Sequence, residues 1–243
     1  MDLEIIAHRG FSVMAPENTL VAFSAALQQG ADSLEFDVQV SADGIPVIFH
    51  DELLNRITGT SGKVSEKTVA ELKELDAGSW FAERFAGESI PTLEDAIATF
   101  QNVKDFLYFD IKPNHQWLEE EVQKLGEFLV QNNLLNKSIM TSFNENFLDQ
   151  IRHYHPEIPL GYFLIGFNQF EEQLQKAINK GNSILSIHYP IVLQHPEIVT
   201  QSQNQGVDIV VWTVDDLNDF NTLVNLGVKR IITNSLIGSY LKS

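Results

Sequence analysis

The chain has 243 residues, no cysteine and a formal charge of −17, from 33 acidic against 16 basic residues. This balance disfavours a nucleic-acid binder and a stable association with an anionic membrane, because both need a basic patch against phosphates. The missing cysteines exclude disulfides, a thiol nucleophile and Cys-type metal sites. No run approaches about 18 apolar residues, and no basic segment precedes an apolar one at the start, so a cytoplasmic enzyme or binding protein is expected.

Short apolar runs alternate with helix-period segments along the chain. The predicted strands are Leu3–Ala7, Ser33–Val40, Phe106–Ile111, Ser138–Thr141, Leu160–Leu164, Ser183–Ile187, Asp208–Thr213 and Arg230–Thr233. Several are apolar on both faces, as parallel strands covered by helices are. Between them lie amphipathic stripes: Leu20, Phe23 and Leu27; Leu118, Val122, Leu125 and Leu129; Phe170, Leu174, Ala177 and Ile178; Leu217, Phe220, Leu223 and Val224. Thr68 with Glu71, and Thr92 with Asp95, have capping-box spacing.

Eight βα units in a chain of this length predict a closed (β/α)8 TIM barrel, class α/β, forming a single domain over residues 1–243. The rival is an open doubly wound sheet, but no G-x-G-x-x-G follows the first strand. One stretch breaks the rhythm. Ile45–His50 reads as an extra strand after the Asp43-Gly44 turn, and residues 51–90 then form a small insertion after the second strand. One short helix is expected in that insertion, with Trp80 and Phe81 in its core beside Phe85.

Barrel chemistry sits at the C-terminal ends of the strands. The first strand ends in His8-Arg9-Gly10, and an Arg fork there matches phosphate oxygens. Strand period two places Glu35 and Asp37 on one face of the second strand, and Asp110 and Lys112 on one face of the third. Two inward carboxylates repel unless a cation lies between them, and hard oxygen donors favour Mg2+ or Ca2+ over zinc. His50-Asp51 ends the extra strand and offers a second histidine with a carboxylate to orient it. Trp212 ends the seventh strand and is placed as a pocket wall that could carry a cationic head group on its ring face. His188, at the end of the sixth strand, is a weaker candidate for the mouth. His115, His153, His155 and His195 fall in helices or loops and are expected to be solvated. Together, two histidines, three carboxylates, an Arg and a Lys at strand ends are what metal-assisted phosphodiester cleavage needs.

The runs H-R-G (8–10), P-E-N-T (16–19), L-E-F-D-V (34–38) and D-G-x-P-V-x-x-H-D (43–51) resemble the glycerophosphodiester phosphodiesterase family. P-T-L-E-D (91–95), D-I-K (110–112), S-F (142–143) and V-W-T-V (211–214) extend the resemblance over essentially the whole chain. It implies a (β/α)8 barrel and hydrolysis of a small-molecule glycerophosphodiester to glycerol 3-phosphate and an alcohol. By motif, it implies that His8 and His50 are the acid/base pair, Glu35 and Asp37 hold the metal, and Arg9 and Lys112 contact phosphate. Mn2+ joins Mg2+ and Ca2+ as an admissible ion. Glu17 of P-E-N-T is implied as a support, while its neighbour Asn18 fits a cap for the first helix. One position departs: the family's third-strand ligand is usually Glu, and Asp110 reaches about 1.5 Å less.

The residues leave open which histidine is acid and which base. They leave open whether water attacks directly or the neighbouring glycerol hydroxyl first forms a cyclic phosphate. A phosphodiesterase acting on intact lipid and a non-catalytic phosphodiester-binding barrel are the alternatives. No feature of the sequence speaks to oligomeric state.

Overall fold

The structure is a computed structural model, and it describes residues 3–238. Nine strands form one sheet: β1 (Glu4–His8), β2 (Ser33–Val40), β3 (Pro46–Ile48), β4 (Leu107–Ile111), β5 (Ser138–Ser142), β6 (Leu160–Leu164), β7 (Ser183–His188), β8 (Asp208–Trp212) and β9 (Arg230–Thr233). Eight of them run parallel, and β1 pairs with both β2 and β9, which closes the barrel. The ninth, β3, is the extra strand and lies antiparallel on β2. It is shorter than expected, so His50 stands beyond its end. β1 ends one residue later than expected, which brings His8 into the ladder opposite Glu35.

The helices are α1 (Leu20–Gln28), α2 (Asn55–Thr58), α3 (Val69–Lys73), α4 (Leu93–Phe100), α5 (Glu119–Gln131), α6 (Glu145–Tyr154), α7 (Phe170–Lys180), α8 (Tyr189–Gln194), α9 (Glu197–Asn204) and α10 (Leu217–Asn225). Both capping boxes form. Thr92 Oγ1 accepts from Asp95 N at 3.1 Å, and Asp95 Oδ2 accepts from Thr92 N at 2.9 Å. Thr68 and Glu71 do the same for α3. Each such cap stabilises by about 1 kcal/mol.

The main core lies between the barrel wall and the helices. On β2 the outward residues Leu34, Phe36 and Val38 are fully buried. Phe36 stacks on Phe100 of α4 at 4.6 Å and meets Phe109 edge-on at 4.7 Å. Burying each such side chain contributes about 1.5–3 kcal/mol. Inside the barrel, Ile6, Tyr108, Ile139, Ile184, Val210 and Ile232 form one apolar layer, and the polar site stands above it.

Two local expectations are corrected. The segment after β3 holds two short α-helices and two 3-10 turns rather than one helix. Its core is aliphatic, built from Val47, Leu54, Ile57, Val64, Leu72 and Ile90 with Phe49. Trp80 is 40% exposed and donates its indole N–H to Ala77 O, while Phe81 is half-buried. The aromatic cluster packs edge to face on itself, Trp80 on Phe81 and Phe81 on Phe85, outside that aliphatic core.

Candidate active site

The ladder register assembles the carboxylates. Asp37 and Asp110 are Cα partners on β2 and β4, and Glu35 pairs with His8 across β1 and β2. Period two then turns Glu35, Asp37 and Asp110 toward the same interior. Their ligand oxygens lie within 4.8 Å of one another. Lys112 Nζ bridges Asp37 Oδ1 at 2.5 Å and Asp110 Oδ2 at 2.7 Å. Asp110 Oδ1 is buried with no hydrogen-bond partner.

Arg9 sits in the left-handed region (φ 55°), which turns its side chain back over β2. Its Nε lies 3.2 Å from Asp37 Oδ2 and its Nη1 donates to Glu17 Oε1 at 2.9 Å, while its backbone N–H donates to Glu35 Oε2. Gly10 follows at φ 85°, and a Cβ there would lie 2.6 Å from the backbone of Ala22 on α1, so only glycine fits.

His50 reaches the site on a braced segment. Gln39, on the inward face of β2, donates its amide to Phe49 O at 2.8 Å and Asp51 O at 2.7 Å, clamping both neighbours of His50. His50 Nδ1 bonds Asp51 Oδ1 at 2.6 Å. Arg56 of α2 then donates to Asp51 and, through both terminal nitrogens, to Glu17. A continuous ionic chain therefore runs from His50 through Asp51, Arg56, Glu17 and Arg9 to Asp37.

The electrostatics follow from burial and charge. Burial, and then the Arg9 charge, lower the His8 pKa to about 4, so its ring is neutral near pH 7. Burial raises Glu35 well above its ordinary value, with Asp37 and Asp110 pushing the same way. Asp110 is raised for the same leading reason. Asp37 is the exception: burial would raise it, but Lys112 and Arg9 together outweigh that and hold it low. Three carboxylates share two cations, and two of the three are short of positive charge.

His8, Arg9, Glu35, His50, Asp110, Lys112 and Trp212 all line one cavity of about 250 Å3, with Tyr108 among the residues below. Phe143 and Phe163 stack at 4.3 Å on its wall, and Phe163 meets Trp212 edge-on. A larger groove of about 530 Å3 lies elsewhere, against α4 and α5, and contains none of these groups. His188 is exposed beside Trp212 rather than inside the cavity.

Asn18 does not cap α1; Thr19 does, accepting from Ala22 N. Asn18 instead donates to Asp37 Oδ2 at 2.7 Å and accepts from Asp37 N. The sequence motifs do not single out Gln39, Arg56, Asp215 or Asn234. Gln39 had a signal, since it shares period two with Glu35 and Asp37. Asn234 had one too, directly after β9. Arg56 had none, because an insertion helix carries no register relative to the barrel.

The model of the glycerophosphoryl diester phosphodiesterase family matches residues 8–237. A glycerophosphodiester phosphodiesterase of Caldanaerobacter subterraneus subsp. tengcongensis is 36% identical over 231 residues, covering 95% of this chain and 93% of its own. The fold superposes at TM-score 0.87 and 35% identity on an Oleispira antarctica phosphodiesterase solved in complex with the product sn-glycerol-3-phosphate, covering 99% of this chain and 97% of that one. It superposes at TM-score 0.84 and 28% identity on a glycerophosphodiester phosphodiesterase from Agrobacterium tumefaciens str. C58, covering 98% and 100%. By sequence, fold and closed barrel, the chain is an enzyme of the glycerophosphodiester phosphodiesterase family.

Proposed function

We propose that this enzyme hydrolyses small glycerophosphodiesters, such as glycerophosphocholine or glycerophosphoethanolamine, to glycerol 3-phosphate and an alcohol. The observation that carries this reading is one cavity lined by two histidines, a carboxylate cluster and two cations. Glu35, Asp37 and Asp110 would hold a divalent cation, Mg2+ or Ca2+ by their hard oxygen donors, with Mn2+ also admissible. The orphaned Oδ1 of Asp110 and the excess of carboxylate over cation support that fit, even with the shorter Asp in place of Glu. Such an ion supplies Lewis-acid neutralisation of phosphate charge.

The remaining roles belong to the chain's own groups. Arg9 and Lys112 bind the non-bridging phosphate oxygens, Arg9 as a planar fork and Lys112 as a point charge. One histidine takes the nucleophile's proton and the other protonates the leaving alkoxide. Asp51 orients His50, and Glu17 holds Arg9 and Arg56 in place. Trp212 walls the side where a head group leaves. We read residues 1–243 as one domain in which 51–90 is an insertion bearing Asp51 and Arg56; residues 1–2 and 239–243 of that span lie outside the described residues.

The test is release of glycerol 3-phosphate from glycerophosphocholine and glycerophosphoethanolamine, with each ion and with EDTA. Release that EDTA abolishes and an added ion restores supports the reading. No release from any glycerophosphodiester with Mg2+, Ca2+ or Mn2+ overturns it.

A second reading, cleavage of intact lipid, has one observation behind it. Exposed Val13, Met14, Phe143, Ile165 and Phe167 all stand in segments that follow barrel strands, on the rim of the mouth. Among the described residues no helix is long and apolar enough to cross a membrane. Faster turnover of a lysophospholipid than of glycerophosphocholine would favour that reading.

A further inference from the structure

His8 is held from behind by a part of the fold that the roles above do not use. Its Nδ1 lies 2.7 Å from Asn234 Oδ1, just past the end of β9. Ser12 Oγ donates to the same oxygen at 2.8 Å. The other end of the Asn234 amide, Nδ2, donates to Asp215 Oδ2 at 2.6 Å. Asp215 in turn is fixed by four donors on its Oδ1: Thr233 Oγ1, Asn234 N, Ser235 N and Ser235 Oγ, at 2.9–3.0 Å. These bonds span the loop after β8 and the loop after β9.

The chemistry of this chain of bonds is directional. An ionised carboxylate only accepts, so Asp215 compels Asn234 to turn its NH2 toward it. Asn234 must then show its carbonyl oxygen to His8. A carbonyl also only accepts, so His8 must carry its proton on Nδ1. The lone pair is left on Nε2. That atom lies 3.9 Å from Glu35 Oε2, beyond hydrogen-bond reach, and His8 faces the cavity. Hydrogen bonds from Asn234, Ser235 and Thr233 keep Asp215 below the ordinary carboxylate range although burial pushes it up, so it stays ionised.

We propose that Asp215 and Asn234 are positioning residues that lock His8 in the Nδ1–H tautomer, so that Nε2 is the proton acceptor of the resting enzyme. The inference rests on the phosphodiesterase reading for what the proton acceptor does, but the tautomer itself is independent of it. His50, whose Nδ1 meets a carboxylate instead of a carbonyl, then takes the donor role toward the leaving group. In a Ser-His-Asp site an acid-to-amide change behind the histidine acts by the same principle, imposing the wrong tautomer on intact geometry.

The test swaps the two residues. In Asp215→Asn, Oδ1 still accepts its four donors, but an amide NH2 now faces Asn234 Nδ2. The Asn234 amide must flip, its NH2 then points at His8 Nδ1, and the ring proton moves to Nε2. The double variant Asp215→Asn with Asn234→Asp reverses the pair: the new amide at position 215 donates, and the new carboxylate at position 234 accepts from His8. The readout is the imidazole 15N spectrum of metal-free, histidine-labelled protein at about pH 8, above the ordinary His value. The His8 signals are identified by their loss in His8→Gln.

Wild type is expected to show Nδ1–H, the single variant Nε2–H, and the double variant Nδ1–H again. In parallel, kcat for glycerophosphocholine should fall about 100-fold in the single variant with KM within about twofold, and the double variant should regain most of it. An unchanged tautomer in Asp215→Asn, or no recovery in the double variant, overturns the proposal. If Asp215→Asn does not fold, Asn234→Ala replaces it: a mixture of tautomers supports the proposal, and pure Nδ1–H overturns it. A wild-type protein that releases no glycerol 3-phosphate but shows the expected spectra would instead sink the phosphodiesterase reading alone.

Discussion

Asp37 and Asp110 face each other across two parallel strands and share a single ammonium, that of Lys112. Removing that ammonium by Lys112→Met leaves the buried Asp37 and the half-buried Asp110 without it. Breaking a buried ion pair from one side destabilises by about 3–5 kcal/mol. A divalent cation should offset part of this loss by binding the relieved carboxylates, without restoring turnover. Thermal unfolding with and without Ca2+, beside glycerophosphocholine hydrolysis, checks both parts. A stable Lys112→Met protein with no response to Ca2+ would contradict the assignment.

Gln39 brings the His50 segment to the mouth through two carbonyls. In Gln39→Leu both carbonyls lose their donor, at about 1–3 kcal/mol for each group that stays buried and unpaired. Turnover should fall more than stability does, because His50 loses its placement while the barrel core is untouched. Urea unfolding and kcat measured on the same preparation separate the two effects.

Arg56 presents the opposite case. It is 43% exposed, so Arg56→Ala should change stability by less than about 1 kcal/mol. It nevertheless ties Asp51 to Glu17, and its loss should lower kcat about tenfold by loosening both supports. Arg56→Lys should recover little, since a single ammonium nitrogen cannot reproduce the four hydrogen bonds that Nε, Nη1 and Nη2 make to Asp51 and Glu17. Full activity in Arg56→Ala would remove the ionic chain from the account of the site.

Asp51 makes stability depend on pH. The Arg56 hydrogen bonds, opposed by partial burial and helped by His50, hold its pKa down to about 2, against an ordinary 3.8. A depressed carboxylate binds its proton less readily when folded. The stability it lends is therefore complete above the unfolded value and is lost as pH falls toward the folded one. Wild type should exceed Asp51→Asn in stability at about pH 5, and the gap should narrow by about pH 3. A gap that widens with acid would show the reverse linkage.

The segment after β3 offers a comparison of packing. Leu54 is fully buried in its aliphatic core, while Trp80 is substantially exposed. Leu54→Ala should cost about 2–5 kcal/mol and reduce activity, because α2 with Arg56 begins at the next residue. Trp80→Ala should do far less to stability. Equal losses would mean that the aromatic cluster carries the packing after all.

The barrel was legible in the sequence because its strands and helices are local, periodic patterns. Leu34, Phe36 and Val38 alternating with Glu35 and Asp37 state both the strand and its two faces. Seven site residues, among them His8, Glu35, Asp110 and Lys112, were named at strand ends, and the structure brings them to one cavity. The amphipathic stripes could not say which residue of the insertion packs and which does not. Trp80 and Leu54 are both apolar, and only the shape of the space under β3 separates them. Nor could they say what Asn18 does: Thr19 takes the cap position, and Asp37 on β2 accepts from the Asn18 amide.

What the sequence determined by itself is the set of chemical groups and the strands that carry them, because hydrophobic periodicity and strand-end position are properties of neighbours along the chain. What only the tertiary structure decided is which of those groups meet. The Asp37–Asp110 pairing is set by inter-strand register. The tie between His8 and Asn234 joins residues 226 positions apart, across the closure of the barrel. Such contacts exist only once the first and last strands pair, and no local pattern encodes them.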